Sequence, residues 1–192
     1  MTLADRALSI PVILGTPRRG RMSAHVAALI MQEVRRLGGV ETALIDVADL
    51  PFGTNDAGES LKDPAFSEAM NRADALILVS PEYNHAYPGL LKHALDTNLK
   101  EYVHKAAGVV GVSSGPFGGT RGIESFLPVL RELGLVTIFW DVNVGLVHSV
   151  FDEDGTLLDE AFRPRIRKFL AELLWMATTL RYGRDHVEVT TP

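Results

Sequence analysis

Apolar residues fall into two rhythms along this chain. Four short runs are apolar almost throughout: Ile10 to Leu14, Ala75 to Val79, Gly108 to Val112 and Leu135 to Trp140. Unbroken apolarity of this length predicts strands of a parallel sheet covered by helices on both faces. The stretch from Glu41 to Val47 alternates instead. Ala43, Ile45 and Val47 point one way and Thr42, Leu44 and Asp46 the other, which predicts a less buried edge strand. Between these runs the spacing turns helical. Val26, Ile30, Val34 and Leu37 form one stripe, stopped by Gly38 and Gly39. Leu91, Ala94 and Leu95 begin another just after Pro88. A third carries Ile123, Phe126, Leu127, Leu130 and Leu133, with Pro128 expected to kink it or confine its regular part. The clearest runs from Phe162 through Ile166, Phe169, Leu173 and Ala177 to Leu180, and a shorter one covers Ala65 to Arg72.

Strand and helix thus alternate about five times, which predicts an open α/β sandwich formed by residues 1–192 as one domain. Residues 183–192 carry no readable pattern. Open sheets of this kind bind ligands beyond the carboxyl ends of their strands, where the winding reverses. Three loops lie there: Gly15 to Met22, Ser80 to Pro88 and Ser113 to Thr120.

Composition narrows the chemistry. A net charge of −5 over 192 residues lacks the basic excess of a nucleic-acid binder or a protein that docks on acidic membranes. With no cysteine, the chain has no disulfide, thiolate metal site, iron–sulfur cluster or cysteine nucleophile. Its six histidines show no metal-ligand spacing such as His-Glu-x-x-His. The N-terminal stretch has no signal-peptide cleavage pattern and no run reaches the length of a membrane span, so a cytoplasmic protein is expected.

Against this acidic background the first loop, GTPRRGRMS, stands out. Arg18, Arg19 and Arg21 crowd the start of a predicted helix, and no acidic residue lies between Asp5 and Glu33. The start of a helix carries partial positive charge and unpaired N–H groups, so cations there need a negative partner. A phosphate would serve, because helix N–H groups, the Thr16 and Ser23 hydroxyls and arginine forks all donate to one anion. Solvated surface arginines are the other reading. The spacing matches neither the nucleotide loop ending in Gly-Lys-Ser/Thr nor the dinucleotide Gly-x-Gly-x-x-Gly. The second loop, SPEYNHAYPGLLKHALD, is stiff and carries an aromatic and an amide suited to the edge of a flat ring. The third, SSGPFGGTRG, exposes backbone N–H groups between glycines.

In this order and spacing, GTPRRGRMS, PEYNHAYPGLLKHALD and SSGPFGG resemble the NADPH-dependent FMN reductase family. The resemblance covers nearly the whole chain to about Leu180 and is most specific in the second block. It implies a flavodoxin-like three-layer sandwich with a five-stranded parallel sheet of order 2-1-3-4-5. It also implies FMN as cofactor, NADPH or NADH as hydride donor, and a flavin, quinone, azo or metal acceptor reached by ping-pong exchange. A homodimer or homotetramer is implied as well. Carried over residue by residue, it makes Thr16, Arg18, Ser23, His25 and Val26 the phosphate cradle, with Arg21 as an addition. His25 stands where many relatives have Asn, so its contact would come from the backbone N–H. Pro81, Glu82, Tyr83 and Asn84 would border the ring, and Ser113, Ser114, Gly115, Gly118 and Gly119 would close its other edge. Relatives often carry a tryptophan after the position of Asp96, and the stretch TNLKEYVHK lacks one. Tyr83 and His85 either shape an acceptor site or serve packing and solvation. Arg121 either meets a nicotinamide phosphate or is a surface residue. No residue is assigned an acid or base role.

Two other classes fit parts of the pattern. Gly111 to Gly115 matches the Gly-x-Ser-x-Gly elbow of serine hydrolases, with Ser113 as nucleophile and Asp141 and His148 downstream. Pro116, Gly118 and Gly119 argue against it, since the elbow needs a helix to start at the serine. A flavodoxin-like electron carrier without its own NADPH oxidation would share the fold entirely.

Overall fold

The computed structural model describes residues 6–52, 62–152 and 154–188. At its centre lie β5 (Ala75–Pro81) and β6 (Lys105–Val112), every residue of both buried and the two paired in parallel. The first strand is split into β1 (Leu8–Ser9) and β2 (Val12–Leu14) around Pro11, which has no N–H to donate to a ladder. Its neighbour is split likewise into β3 (Val40–Glu41) and β4 (Leu44–Asp46). The last strand is divided into β7 (Leu135–Thr137), beside the start of β6, and β8 (Val142–Val144), beside its end. Eight segments thus stand where five strands were expected, and the main path runs β4-β2-β5-β6-β7 with all pairs parallel.

Helices cover both faces. On one, α1 (Ser23–Arg35) and α6 (Phe162–His186) bury Val26, Ile30, Val34, Phe169 and Leu173 against Val12, Ile77 and Val110. On the other, α2 (Pro64–Arg72), α3 (Gly89–Asp96) and α4 (Thr120–Glu132) bury Phe66, Met70, Leu91, Leu95, Phe126 and Leu130 against Leu76, Leu78 and Val109. A Cβ on Gly108 would lie 2.4 Å from the Phe169 ring, so the glycine lets α6 settle onto β6. The helix α4 continues past Pro128 to Glu132. The proline is exposed, as is Glu124, whose carbonyl loses its helical partner, so the loss falls on the water-facing side.

The run Leu135 to Trp140 is not one buried strand. The chain leaves the sheet after Thr137 although the Ile138 N–H still donates to the Ala107 carbonyl (2.9 Å), and Phe139 is 80% exposed. This strand is at the sheet's edge, and an apolar run alone does not say whether both faces are covered. The Lys168 ammonium, 3.3 Å from the ring centroid, covers Trp140. Beyond Leu180 the helix α6 continues to His186, so part of the unpatterned tail is helical; residues 189–192 lie outside the described residues. No helix among the described residues is long and apolar enough to cross a membrane.

The amino end of the sheet is closed by charge. Asp74, fully buried, accepts from Arg6 (2.8 Å), Arg184 (2.9 Å) and the Ser9 N–H (3.0 Å), with Arg181 3.5 Å away. Beside it the buried Lys105 donates to the Met70 and Asn71 carbonyls (2.5 and 2.7 Å), capping α2. Burial pushes its amine down to about 8, with the Arg184 cation adding to that shift.

Candidate functional site: a cleft at the start of the first helix

The loops following β2, β5 and β6 converge at the opposite, carboxyl end of the sheet. They enclose a cavity of about 200 Å³ bordered by residues 18–23, Pro81 to Tyr83 and Val112 to Ser114. Val147 and His148 complete its border from α5 (Val147–Val150), a single turn entered through left-handed Leu146 (φ 48°). A larger hollow, about 330 Å³, lies against the edge strand at Thr42 and Ala43. Arg72 pairs with Glu41 there, and α2 borders it along Ala65, Glu68, Ala69 and Arg72.

The cavity's chemistry is set by the start of α1. No side chain caps this helix, and its first turn holds no acidic residue. The Ser23 hydroxyl is buried without a hydrogen-bond partner. A buried hydroxyl left unmatched costs about 1–3 kcal/mol, a cost that a bound acceptor removes. Thr16, 1% exposed, holds its hydroxyl 3.0 Å from that of Tyr83, tying the first loop to the second. The Arg18 guanidinium sits 3.8 Å above the Tyr83 ring. An unmatched hydroxyl, a helix dipole and a cation at one small volume suit a compact dianion such as a phosphate monoester.

Arg21 behaves otherwise. It pairs with Asp46 and donates to the Thr16 carbonyl (2.6 Å), so an internal carboxylate answers part of the charge puzzle. Asp46 ends β4, opposite Leu14, and reaches the loop through strand register rather than sequence proximity. Arg19 is exposed on the rim with no ion-pair partner among the described residues. His25 and Val26 do not face the cavity. The His25 ring packs beside Phe151, 5.9 Å between centroids, and Val26 is in the core. Both N–H groups already donate to the Met22 carbonyl (3.1 and 3.4 Å). Arg21 thus borders the cavity while paired with Asp46, and the described contacts of His25 and Val26 lie away from it.

In the second loop Tyr83 and Ala86 exchange backbone hydrogen bonds of 2.8 and 3.0 Å across a tight turn. Asn84 and His85 occupy its two left-handed positions (φ 51° and 66°), a conformation unfavourable for residues with side chains. Both are exposed at the tip. Pro81 is buried at the cavity wall. The Glu82 carboxylate pairs with Arg121 (2.6 Å) and accepts from the Gly122 N–H (3.4 Å), supplying α4 with an acidic partner at its start. This pair, rather than bare surface exposure, accounts for Arg121.

The third loop divides by role. Ser113 and Ser114 border the cavity, and the Ser114 hydroxyl lies 3.4 Å from His148 Nε2. Gly115 is exposed with open space around it. Gly118 and Gly119 are buried with positive φ, and a Cβ on Gly119 would lie 2.6 Å from the Val112 nitrogen. These two glycines permit chain-to-chain packing, and their N–H groups do not border the cleft. The hydrolase reading fails on geometry. Ser113 Oγ donates to the Gly115 carbonyl (2.8 Å), His148 meets Ser114 instead, and α4 starts only at Thr120.

Sequence reasoning did not foresee Val147 and His148 as part of the cleft. The signal available was weak: Val147 and Val150 at helical spacing, both buried, directly after the left-handed Leu146. No group of three or more metal-ligating side chains occurs among the described residues.

The chain is 28% identical to a quinone reductase of Pseudomonas putida, across 86% of this chain and 92% of that one. It is equally similar, 28%, to an NAD(P)H:quinone oxidoreductase of Solanum tuberosum across 93% and 97%. Among solved structures, the flavoenzyme NAD(P)H:(acceptor) oxidoreductase FerB of Paracoccus denitrificans superposes with a TM-score of 0.74 at 22% identity, covering 90% of this chain and 98% of that one. A Streptococcus pneumoniae flavodoxin matches with a TM-score of 0.59 at 18% identity, covering 88% and 99%. These likenesses show the flavodoxin-like α/β fold. The sequence model of NADPH-dependent FMN reductases matches residues 8–148, which takes in all three loops and ends on His148 at the cavity's border. The chain belongs to the NADPH-dependent FMN reductase family.

Proposed function

We propose that this oxidoreductase holds FMN with its 5′-phosphate at the start of α1 and its ring between the second and third loops. When bound, FMN would supply the redox chemistry, taking hydride from NADPH or NADH and passing it in a second half-reaction to a flavin, quinone, azo or metal acceptor. The chain's own part is binding and orientation. Ser23 Oγ and Arg18, which border the cavity, would donate to the phosphate, with the Thr16 hydroxyl held against Tyr83 as a further donor and the dipole of the thirteen-residue α1 adding to them. Pro81 and the Tyr83 turn form one wall, and Ser113, Ser114 and His148 the other. The assembly would be a homodimer or homotetramer, as the family resemblance implies.

The observation that carries this reading is the buried, partnerless Ser23 hydroxyl at an uncapped helix start, inside the cleft where the three family loops meet. Family membership supports a reductase over a passive carrier, a choice that the fold leaves open. The test is a visible spectrum of the purified protein with added FMN, followed anaerobically by NADPH. Yellow absorbance that co-purifies or saturates, then bleaches with NADPH consumption, is expected. Absorbance that persists under NADPH would leave the carrier reading, and no saturable association would defeat both.

A further inference from the structure

Tyr83 belongs by sequence to the loop that borders the ring, yet its contacts lie with the phosphate loop. Its hydroxyl is 3.0 Å from that of the buried Thr16, and its ring lies 3.8 Å beneath the Arg18 guanidinium. The Thr16 oxygen also stands 3.5 Å from the Arg18 N–H, at the limit of hydrogen bonding. If Tyr83 donates to Thr16, that oxygen acts as acceptor and the Thr16 proton is free for an anion. A guanidinium resting on an aromatic face keeps its charge while losing much of its rotational freedom, so less ordering is needed when an anion arrives. The turn that carries Tyr83 is held independently by the paired Tyr83 and Ala86 backbones, so the side chain can be altered without undoing the loop.

We infer that Tyr83 is a positioning residue for the ligand's phosphate: it orients Thr16 and Arg18 and contributes little through contact with the flavin ring. This inference rests on the FMN reading above and assigns the second loop a role in anion recognition.

Riboflavin, which has the same ring and no phosphate, separates the two roles. The dissociation constants of FMN and riboflavin are measured by quenching of flavin fluorescence for wild type, Tyr83→Phe and Tyr83→Leu, without any turnover. A lost hydrogen bond and a lost cation–π contact together predict that FMN binding weakens about 3- to 10-fold in Tyr83→Phe and about 10- to 100-fold in Tyr83→Leu. Riboflavin affinity should change less than about 2-fold in both, on the same affinity scale. In an Arg18→Ala background, Tyr83→Leu should cost much less than it does alone. Equal losses for both flavins, or unchanged FMN affinity in Tyr83→Leu, would overturn the inference while leaving FMN binding in place. A wild type that quenches neither flavin would overturn the FMN reading and the inference with it.

Discussion

The two ends of the sheet treat polar groups in opposite ways. At the amino end the buried Asp74 is surrounded by Arg6, Arg181 and Arg184 and by the Ser9 N–H, while Lys105 closes the last carbonyls of α2. At the carboxyl end α1 starts without a cap, the Ser23 hydroxyl has no partner, and Arg19 is exposed without an ion pair among the described residues. Buried polar groups in folded proteins are nearly always matched internally. A closed end therefore reads as architecture, and an end with unmatched donors reads as prepared for something the chain does not supply. Tyr102 complicates the rule: its hydroxyl is also buried and unmatched, but inside the core rather than on the cleft.

The largest effect should come from breaking the closed end. Asp74→Ala leaves the arginines facing one another around a buried hole, and loss of one partner from a buried ionic cluster costs about 3–5 kcal/mol. Urea unfolding should show that loss; a cost below about 1 kcal/mol would mean the cluster is solvated in practice. At the open end the effect moves from stability to binding. Arg18→Ala should weaken FMN about 10- to 100-fold, as expected for one charge-assisted contact, with unfolding free energy nearly unchanged. Arg19→Ala should weaken it less than about 3-fold by the same conversion, and equal effects of the two would contradict the assignment.

Lys105 sharpens the comparison through pH. Its native pKa of about 8 lies below the ordinary 10.5, so between these values the unfolded chain binds more protons than the folded one. This group therefore makes stability rise as pH increases through that window. Lys105→Met should flatten the rise, and an unchanged slope in urea-unfolding series would show that the α2 carbonyls keep the amine charged. The smallest effects are the two lone hydroxyls. Ser23→Ala and Tyr102→Phe should each leave the ligand-free protein as stable as wild type or up to about 1 kcal/mol more so. Only Ser23→Ala should weaken FMN, by about 3- to 10-fold; a loss in Tyr102→Phe as well would erase the distinction between cleft and core.

Much of this was legible in one dimension because the signals are local. Apolar runs such as Ala75 to Val79 mark buried strands whatever they pair with, and glycine and proline mark the loops at their ends. What was not legible depends on partners distant in sequence. Arg21 is neutralised by Asp46 through the register of β2 and β4. Glu82 turns to Arg121 because β5 and α4 meet side by side. Phe139 and Trp140 were expected in a buried strand, yet that strand lies at the edge, where the chain can leave the sheet. Glycines in the third loop were expected to turn backbone N–H groups toward a ligand, whereas Gly119 approaches the Val112 backbone. Single-turn α5, which brings His148 to the cleft, is too short to leave a helical period.

The account depends on the cleft at α1 recognising a phosphate, and the affinity of the unmodified protein for FMN relative to riboflavin tests that most directly. Two charge-assisted contacts and a helix dipole predict FMN bound at least about 100-fold more tightly, with the advantage shrinking as salt is raised. Equal affinity for the two flavins would contradict it.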